Sequence, residues 1–193
     1  MDISGAKIRL SRIAVDDLDF ICDIECNTEL WHYEEVVQSD REAVRQSYMD
    51  KIFSEDNEHH DFVVYLKTDD IRIPIGLAQI WRYNEYRKSW EIGFAILPPY
   101  HGQDYGTEAA GLLLRFAFEE LKAHKVVGMC NARNSHSAAL MERIGMTREA
   151  VFKEELYWRG QWTDQCYYSI LEREYIADGR GEHIAEAGKR AGS

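Results

Sequence analysis

A short glycine-bearing segment has the composition and the setting of an anion-binding loop. It covers residues 101–109, reads His-Gly-Gln-Asp-Tyr-Gly-Thr-Glu-Ala, and contains Gly102 and Gly106. The sequence before it predicts a strand ended by Pro98 and Pro99, and an apolar repeat of helical spacing follows it. Backbone N–H groups of the turn and of the first helical turn would converge there, and the helix dipole favours a phosphate. An ordinary strand-to-helix connection would have a similar sequence, so the segment alone leaves both interpretations open.

Two well-known phosphate-binding loops do not fit this segment. A Walker A loop requires Gly-Lys-Ser/Thr, whereas Gly106 is followed by Thr107 and Glu108. The glycine spacing of a dinucleotide-binding fingerprint is absent, and the preceding strand belongs to a predicted meander. A different kind of phosphate ligand is therefore expected.

The elements that must position this loop alternate between strands and helices. Alternating apolar residues predict the strands, and apolar repeats at helical spacing predict the helices. The predicted order is β-α-α-β-β-β-α-β-α-β-β, which is a mixed α/β layer fold. We expect strands over residues 7–13, 61–67, 71–81, 90–97, 126–131, 147–156 and 165–171, and helices from residue 16 and over 40–53, 107–124 and 135–144.

The length of the chain suits one domain with a single core. The chain has 193 residues, of which 45% are apolar and 30% are charged. Beyond residue 176, Gly, Ala and charged residues dominate. We therefore predict one domain over residues 1–176 and a flexible C-terminal tail over residues 177–193.

The net charge limits the classes of partner. A formal net charge of −11 repels nucleic-acid phosphates, so we expect no nucleic-acid binding. The acidity favours a cationic substrate such as an amine, although it also serves solubility alone. The carboxylates that could attract a cationic acceptor, or simply face solvent, are Asp16, Glu34, Glu35 and Glu85.

Location and metal content are predicted from what the sequence lacks. The four cysteines (Cys22, Cys26, Cys130 and Cys166) do not have the spacing of a zinc framework, so no metal is expected. The start of the chain has no apolar signal segment, and no run of about 18 apolar residues could cross a membrane. We therefore expect a cytoplasmic protein without a membrane partner, and a homodimer remains open.

The loop resembles the acyl-CoA-binding motif of the GNAT family of N-acetyltransferases. That motif reads Gln/Arg-x-x-Gly-x-Gly/Ala, and its six positions fall on residues 101–106. The continuation over residues 105–109, Tyr-Gly-Thr-Glu-Ala, is similar to the RimJ/RimL-like branch. Three further stretches agree. Trp-Glu-Ile-Gly-Phe at residues 90–94 resembles the family's fourth strand, and residues 134–140 resemble its Asn-x-x-Ser helix. The final strands, with Gly160, Asp164 and residues 168–171, resemble the closing hairpin of that branch.

The resemblance implies the fold and the cofactor site. It implies a GNAT-like fold, in which a mostly antiparallel mixed sheet of six to seven strands is flanked by helices on both faces. Acetyl-CoA would be the cosubstrate, and a β-bulge near Gly93 would open the cleft that receives it. The residues that the resemblance places at acetyl-CoA are Phe94, Ala95 and Ile96 (pantetheine arm), His101, Gly102, Gln103, Asp104, Tyr105, Gly106 and Thr107 (pyrophosphate), and Asn134 and Ser137.

Two catalytic roles follow from the resemblance. Glu91 would be the general base that removes a proton from the attacking ammonium group through water, and its alternative is an exposed strand residue or an arginine partner. Ser137 would protonate the leaving thiolate, because Met141 stands where many members carry Tyr; its alternative is a helix-capping residue. Tyr105 and Tyr168 are weaker candidates for the acid.

Two other positions depart from the family pattern. His101 replaces Gln or Arg, and Asp104 replaces the middle glycine, so its carboxylate must turn away from bound phosphate. The expected function is transfer of an acetyl group from acetyl-CoA to a primary amine, either a protein N-terminus or a small molecule, by direct attack. The alternative is a CoA-binding regulatory protein of the same fold without catalysis.

Overall fold

A single twisted sheet organises the chain. The computed structural model describes residues 2–54, 57–68, 72–177 and 179. Within these residues the sheet has eight strands in the order β1-β2-β3-β4-β5-β6-β8-β7. The strands are β1 (Asp2–Ser4), β2 (Ile8–Arg12), β3 (His59–Leu66), β4 (Pro74–Asn84), β5 (Ser89–Ile96), β6 (Lys125–Asn131), β7 (Thr147–Trp158) and β8 (Gln161–Leu171).

The helices begin where the sequence carries capping signals. The Asp40 side chain accepts hydrogen bonds from the backbone N–H groups of Glu42 (3.0 Å) and Ala43 (3.1 Å), which fixes the start of the second helix. Gly145 has a φ of 90°, which suits the left-handed residue after a helix end. The helices are α1 (Leu18–Glu25), α2 (Arg41–Phe53), α3 (Tyr105–Glu119), α4 (Ser135–Arg143) and α5 (Glu172–Ala177), with short 3₁₀ turns at Val15–Asp17 and Pro98–Tyr100.

Helices cover both faces of the sheet, as expected. The apolar face of α3, including Leu113 and Phe116, packs on one side in the larger core. The other side is covered by α1 and α2, whose Ile21 and Tyr48 pack against Val63 of β3. Burial on both faces explains why the central strands have long apolar runs.

The predicted mixed α/β fold and its mostly antiparallel sheet are confirmed, but the strand number is higher than predicted. Neighbouring strands are antiparallel except for β5 and β6, which are parallel. The strand missed by the sequence is β1 (Asp2–Ser4), which has three residues and pairs with β2. A three-residue strand is too short to show an alternating apolar pattern.

Two local predictions were wrong. The helix predicted to reach residue 124 ends at Glu119, because the chain turns at Lys122, where φ is 53°. The β-bulge predicted near Gly93 lies instead between Arg82 and Asn84 of β4, and Gly93 itself pairs in register with Gln79. The separation of β5 from β6, described below, therefore does not depend on a bulge at Gly93.

The end of the chain is described only in part. The predicted tail over residues 177–193 lies outside the described residues except for Ala177 and Gly179. Among the helices of the described ranges, none combines the length and the apolar character needed to cross a membrane.

Candidate active site

The cleft begins where the two parallel strands separate. Pairing of β5 with β6 is limited to three residues, the last being Glu91 opposite Val127. From Gly93 to the end of β5 no residue is paired with β6, whereas all of β6 remains paired with β8. The backbone N–H and C=O groups of successive strand residues point to opposite edges of the strand. Leu97 N–H donates to Ile75 of β4, and Ala95 pairs with Leu77. It is therefore Phe94 and Ile96 that border an opening on the β6 side. An extended ligand could satisfy them as a strand would.

The predicted anion loop lies at the open end of β5. It connects the 3₁₀ turn Pro98–Tyr100 to α3, whose 15 residues begin at Tyr105. Gly102 has a φ of 77°, and a Cβ there would meet no atom within 4 Å, so the loop is open above this residue. The first N–H groups of α3 have no partner inside the helix, and the dipole adds positive potential at the same end. The geometry suits a phosphate group.

Gly106 is constrained by packing. A Cβ at this position would lie 3.1 Å from Leu140 Cδ1 and 3.7 Å from Ile96 Cγ1. Glycine therefore allows the start of α3 to approach both α4 and the end of β5. This close approach brings the loop, the cleft and α4 together.

Side chains of the loop hold its shape rather than point freely into solvent. His101 Nε2 lies 2.6 Å from the carbonyl oxygen of Ile96, to which it donates a hydrogen bond. The Tyr105 hydroxyl donates to Gln103 Oε1 at 3.2 Å, and Lys7 Nζ donates to the Gln103 carbonyl at 3.1 Å. Thr107 is half-buried in the first turn of α3.

Asp104 adopts the conformation that explains the glycine preference of its position. Its φ is 64°, in the left-handed region, which Gly favours and Asp and Asn tolerate. Its carboxylate accepts a hydrogen bond from Arg143 Nη1 at 2.9 Å. The expected turning away of this carboxylate is therefore achieved through an ion pair with the last turn of α4.

Glu91 lies at the point where the strands separate and has an unusual ionisation. It is half-buried and faces Trp81 across the β4–β5 pair. The pKa of Glu91 is raised to about 7, chiefly by burial; the indole N–H of Trp81 acts in the opposite direction, and the negative charge of Glu34 adds to the effect of burial. A carboxyl group with this pKa exchanges protons readily near neutral pH, which is the property of a general base.

Asn134 caps α4, and Ser137 occupies its first turn. Asn134 Oδ1 accepts a hydrogen bond from the Ser137 backbone N–H at 3.1 Å. The capping residue is thus Asn134, and the Ser137 hydroxyl remains available for other contacts. It hydrogen-bonds the thiol of Cys130 in β6; the pKa of that thiol is raised to about 11, chiefly by burial. A hydroxyl that hydrogen-bonds one sulfur atom at this position can also donate a hydrogen bond to a thiolate.

Met141 and Tyr168 belong to the core. Met141 is 2% exposed and packs over Gly128, where a Cβ would lie 2.8 Å from the Met141 sulfur. Tyr168 is fully buried and donates to Glu142 Oε1 at 3.4 Å. Neither side chain borders solvent.

The segment between α1 and α2 is anchored on the end of β7. Tyr33 stacks on Trp158 with ring centroids 5.8 Å apart, and Trp158 Nε1 donates to the His32 carbonyl at 2.7 Å. Glu35 accepts a hydrogen bond from the Tyr157 backbone N–H at 2.6 Å. Between these anchors, the charge of Glu34 acts on both Glu91 and Cys130. Glu34 is therefore the acidic residue of this segment that faces the site.

Within the described ranges, no group of three or more His, Cys, Asp or Glu residues could hold a metal ion. The four cysteines are free thiols.

The comparison with known families decides the affiliation. Residues 7–147 match the family model described as the acetyltransferase (GNAT) domain. The chain belongs to the GNAT acetyltransferases. This match covers the cleft, the loop and α4, so the GNAT resemblance drawn from residues 90–140 is confirmed at the level of the family.

Individual GNAT proteins resemble the chain to different extents. An uncharacterized N-acetyltransferase of Bacillus subtilis, YnaD, is 35% identical over 115 residues, which are 59% of this chain and 65% of that protein. The chain thus matches just under two thirds of that relative. A GNAT acetyltransferase structure from Bacillus anthracis superposes with a TM-score of 0.77 at 26% identity, covering 90% of this chain and 99% of the other. Spermidine N-acetyltransferase from Vibrio cholerae, in complex with CoA and spermine, has the same fold, with a TM-score of 0.80 at 24% identity and 89% and 99% coverage.

The structure brings most of the predicted GNAT site residues to one region. Those of β5, of the loop and of α4 lie around the opening between β5 and β6. Sequence reasoning missed Arg143 and Cys130 as neighbours of predicted site residues. The contact of Arg143 with the loop depends on how α4 packs on α3, which carries no local sequence signal.

Proposed function

We propose that this GNAT protein transfers the acetyl group of acetyl-CoA to a primary amine by direct attack, and that it belongs to the RimJ/RimL-like branch. The observation that carries the proposal is the position of Glu91 at the point where β5 and β6 separate, on the strand that leads directly to the loop at residues 101–107. The proposed base and the proposed phosphate site therefore lie at successive positions along β5 and the loop that follows it. The branch is supported by the sequence of residues 105–109.

Acetyl-CoA would lie along β5 with its pyrophosphate at the loop. Backbone groups of Phe94 and Ile96, on either side of Ala95, would hydrogen-bond the pantetheine arm, and N–H groups of residues 102–107 would hold the pyrophosphate. The open space above Gly102 leaves room for it. When bound, acetyl-CoA supplies an activated acyl group whose leaving group is a thiolate.

Residues of the chain would then carry out two proton transfers, one from the acceptor ammonium group and one to the leaving thiolate. Glu91, in its ionised form, would take a proton from the acceptor ammonium group through a water molecule, leaving a neutral amine as the nucleophile. The amine nitrogen forms the new bond to the acyl carbon while the carbon–sulfur bond breaks. Ser137 would donate a proton to the departing sulfur and regain one, directly or through water, from the nitrogen of the new amide, which loses its second proton as the bond forms. Asn134 would hold α4 in place by its cap.

The acceptor would be an amine that arrives as a cation. Glu34 and Glu91 lie close enough that the charge of the first raises the pKa of the second. Two carboxylates at the mouth of one cleft would attract an ammonium group and disfavour an acidic acceptor. A small amine and a basic protein N-terminus both meet this requirement.

Two measurements test the proposal. Calorimetry should show binding of acetyl-CoA, and thiol release should accompany addition of an amine from a panel of polyamines, aminoglycosides and N-terminal peptides. Failure to bind acetyl-CoA at millimolar concentration would contradict the cofactor site. Tight binding without turnover across the whole panel would support the non-catalytic alternative instead.

A further inference from the structure

The carboxylate of Asp104 creates an electrostatic problem at the loop. Asp104 immediately precedes α3, whose first N–H groups would face the pyrophosphate. A carboxylate within a few ångströms of a diphosphate repels it, and one turned inward would occupy the same N–H groups. The side chain of Asp104 makes no capping hydrogen bond to α3, so those N–H groups remain accessible.

Arg143, in the neighbouring helix α4, forms an ion pair with Asp104. Its Nη1 lies 2.9 Å from Asp104 Oδ1. Leu140, three residues earlier on the same face of α4, packs against Gly106 at the start of α3. This packing, in which a Cβ at position 106 would lie 3.1 Å from Leu140 Cδ1, places the end of α4 beside the loop. The orientation of Arg143 is therefore set by the contact between the two helices.

The ion pair is too exposed to serve mainly for folding. The side chains of Arg143 and Asp104 are 61% and 65% exposed. Solvent-exposed pairs of this kind contribute little to the stability of the fold. Their local effect is larger at an anion site, because an unpaired carboxylate there acts directly on the bound phosphates.

We propose that Arg143 is a positioning residue for the pyrophosphate of acetyl-CoA: it neutralises Asp104 and holds that carboxylate away from the N–H groups of the loop. This inference rests on the proposed function, which assigns the pyrophosphate to residues 101–107. The family pattern expects glycine at position 104, which carries no charge. The ion pair of Asp104 with Arg143 would likewise leave the phosphate site without an unpaired negative charge.

The alternative is that Arg143 contacts a phosphate of CoA directly. The two roles differ in their dependence on Asp104. If Arg143 neutralises Asp104, its removal matters only while the carboxylate is present. If Arg143 binds phosphate, its removal matters whatever residue stands at position 104.

The test is a double-mutant cycle on CoA affinity, measured by calorimetry at low salt. Arg143→Ala should raise the Kd for CoA about fivefold to tenfold, and high salt should reduce the effect. Asp104→Asn keeps a side chain that tolerates the left-handed region, and it should bind CoA at least as tightly as the wild type. The double variant Asp104→Asn/Arg143→Ala should return to within about twofold of the wild type.

A matched control removes the same charge elsewhere. Arg173 is exposed in α5, and Arg173→Ala should leave the Kd unchanged. An undiminished effect of Arg143→Ala in the Asp104→Asn background would overturn the inference in favour of direct phosphate contact. An unchanged Kd for Arg143→Ala would also overturn it, while leaving the proposed function intact. Absence of CoA binding by the wild type would instead contradict the proposed function itself.

Discussion

Glu91 and Trp81 face each other across the antiparallel pair of β4 and β5, and the indole N–H of Trp81 stabilises the Glu91 carboxylate. Burial and Glu34 act in the opposite direction, so the pKa of Glu91 lies at about 7. This balance keeps a large fraction of Glu91 ionised at neutral pH while leaving it basic enough to accept a proton. The following predictions test this balance and the residues around it.

Replacement of the base should cost most of the activity near neutral pH. Glu91→Gln keeps the size of the side chain and removes its proton affinity, so we expect kcat to fall about a hundredfold. If Glu91 is the base, the wild-type rate should rise with pH through about 7, because only an ionised carboxylate can accept a proton. The variant should lose this rise. A pH–rate profile that keeps the same limb in Glu91→Gln would reject Glu91 as the base.

Removal of the indole hydrogen bond should move the pH profile. Trp81→Phe retains an aromatic ring and loses the N–H that stabilises the charged carboxylate, so the pKa of Glu91 should rise by about one unit. The acidic limb of kcat/KM should shift to higher pH by the same amount. Tyr83→Phe is the control, since Tyr83 is an exposed aromatic residue of the same strand, at the bulge between Arg82 and Asn84. A shift of equal size in both variants would contradict a specific role of Trp81.

The hydroxyl of Ser137 can be separated from the helix cap. Ser137→Ala retains the backbone N–H that donates to Asn134, so the free energy of unfolding should change by less than about 0.5 kcal/mol. If Ser137 protonates the thiolate, kcat should fall about a hundredfold. Asn134→Ala, which removes the cap, should by contrast cost about 1 kcal/mol of stability.

Cys130 provides the control for this prediction, because its thiol is the sulfur that the Ser137 hydroxyl contacts. Cys130→Ala should leave kcat within about twofold if the hydroxyl acts on the leaving group, since no proton route is removed. Equal losses of activity in Ser137→Ala and Cys130→Ala would show that the hydroxyl acts through packing.

His101 should act on acetyl-CoA binding rather than on the chemical step. Its ring N–H donates to the Ile96 carbonyl at 2.6 Å and fixes the loop to the end of β5. His101→Ala should raise the KM for acetyl-CoA about threefold to tenfold, the value of one hydrogen bond, with little change in kcat. His101→Gln retains an N–H donor and matches the family pattern, so its KM should stay near the wild-type value. A fall in kcat at unchanged KM would contradict this role.

The fold was largely predictable because its signals are local. The α3 sequence has a clear apolar face, β6 has an uninterrupted apolar run, and Gly145 and the Arg159–Gly160 turn mark a helix end and a hairpin. The strand β1 was missed because three residues carry no periodicity. The bulge was misplaced because backbone irregularity depends on the pairing of two strands, which one strand's sequence does not specify.

The site was predictable where a motif is contiguous and not where it depends on packing. Residues 101–107 form one stretch between a strand and a helix, so their position followed from the order of elements. The raised pKa of Glu91 depends on burial and on Glu34, which lies 57 residues earlier in the chain. Contacts of the neighbouring residues His32, Tyr33 and Glu35 with the end of β7 bring Glu34 to the site. Such a relationship exists only in the folded chain.

The most direct test of acetyl transfer is mass spectrometry of the acceptor amines after incubation with acetyl-CoA carrying an isotope label in its acetyl group. The wild type should place one labelled acetyl group on a primary amine and release CoA in equal amount, and Glu91→Gln should do so far more slowly at neutral pH. If no acceptor gains the labelled acetyl group, and acetyl-CoA is consumed no faster than in buffer alone, the proposal that this chain is an active N-acetyltransferase is contradicted.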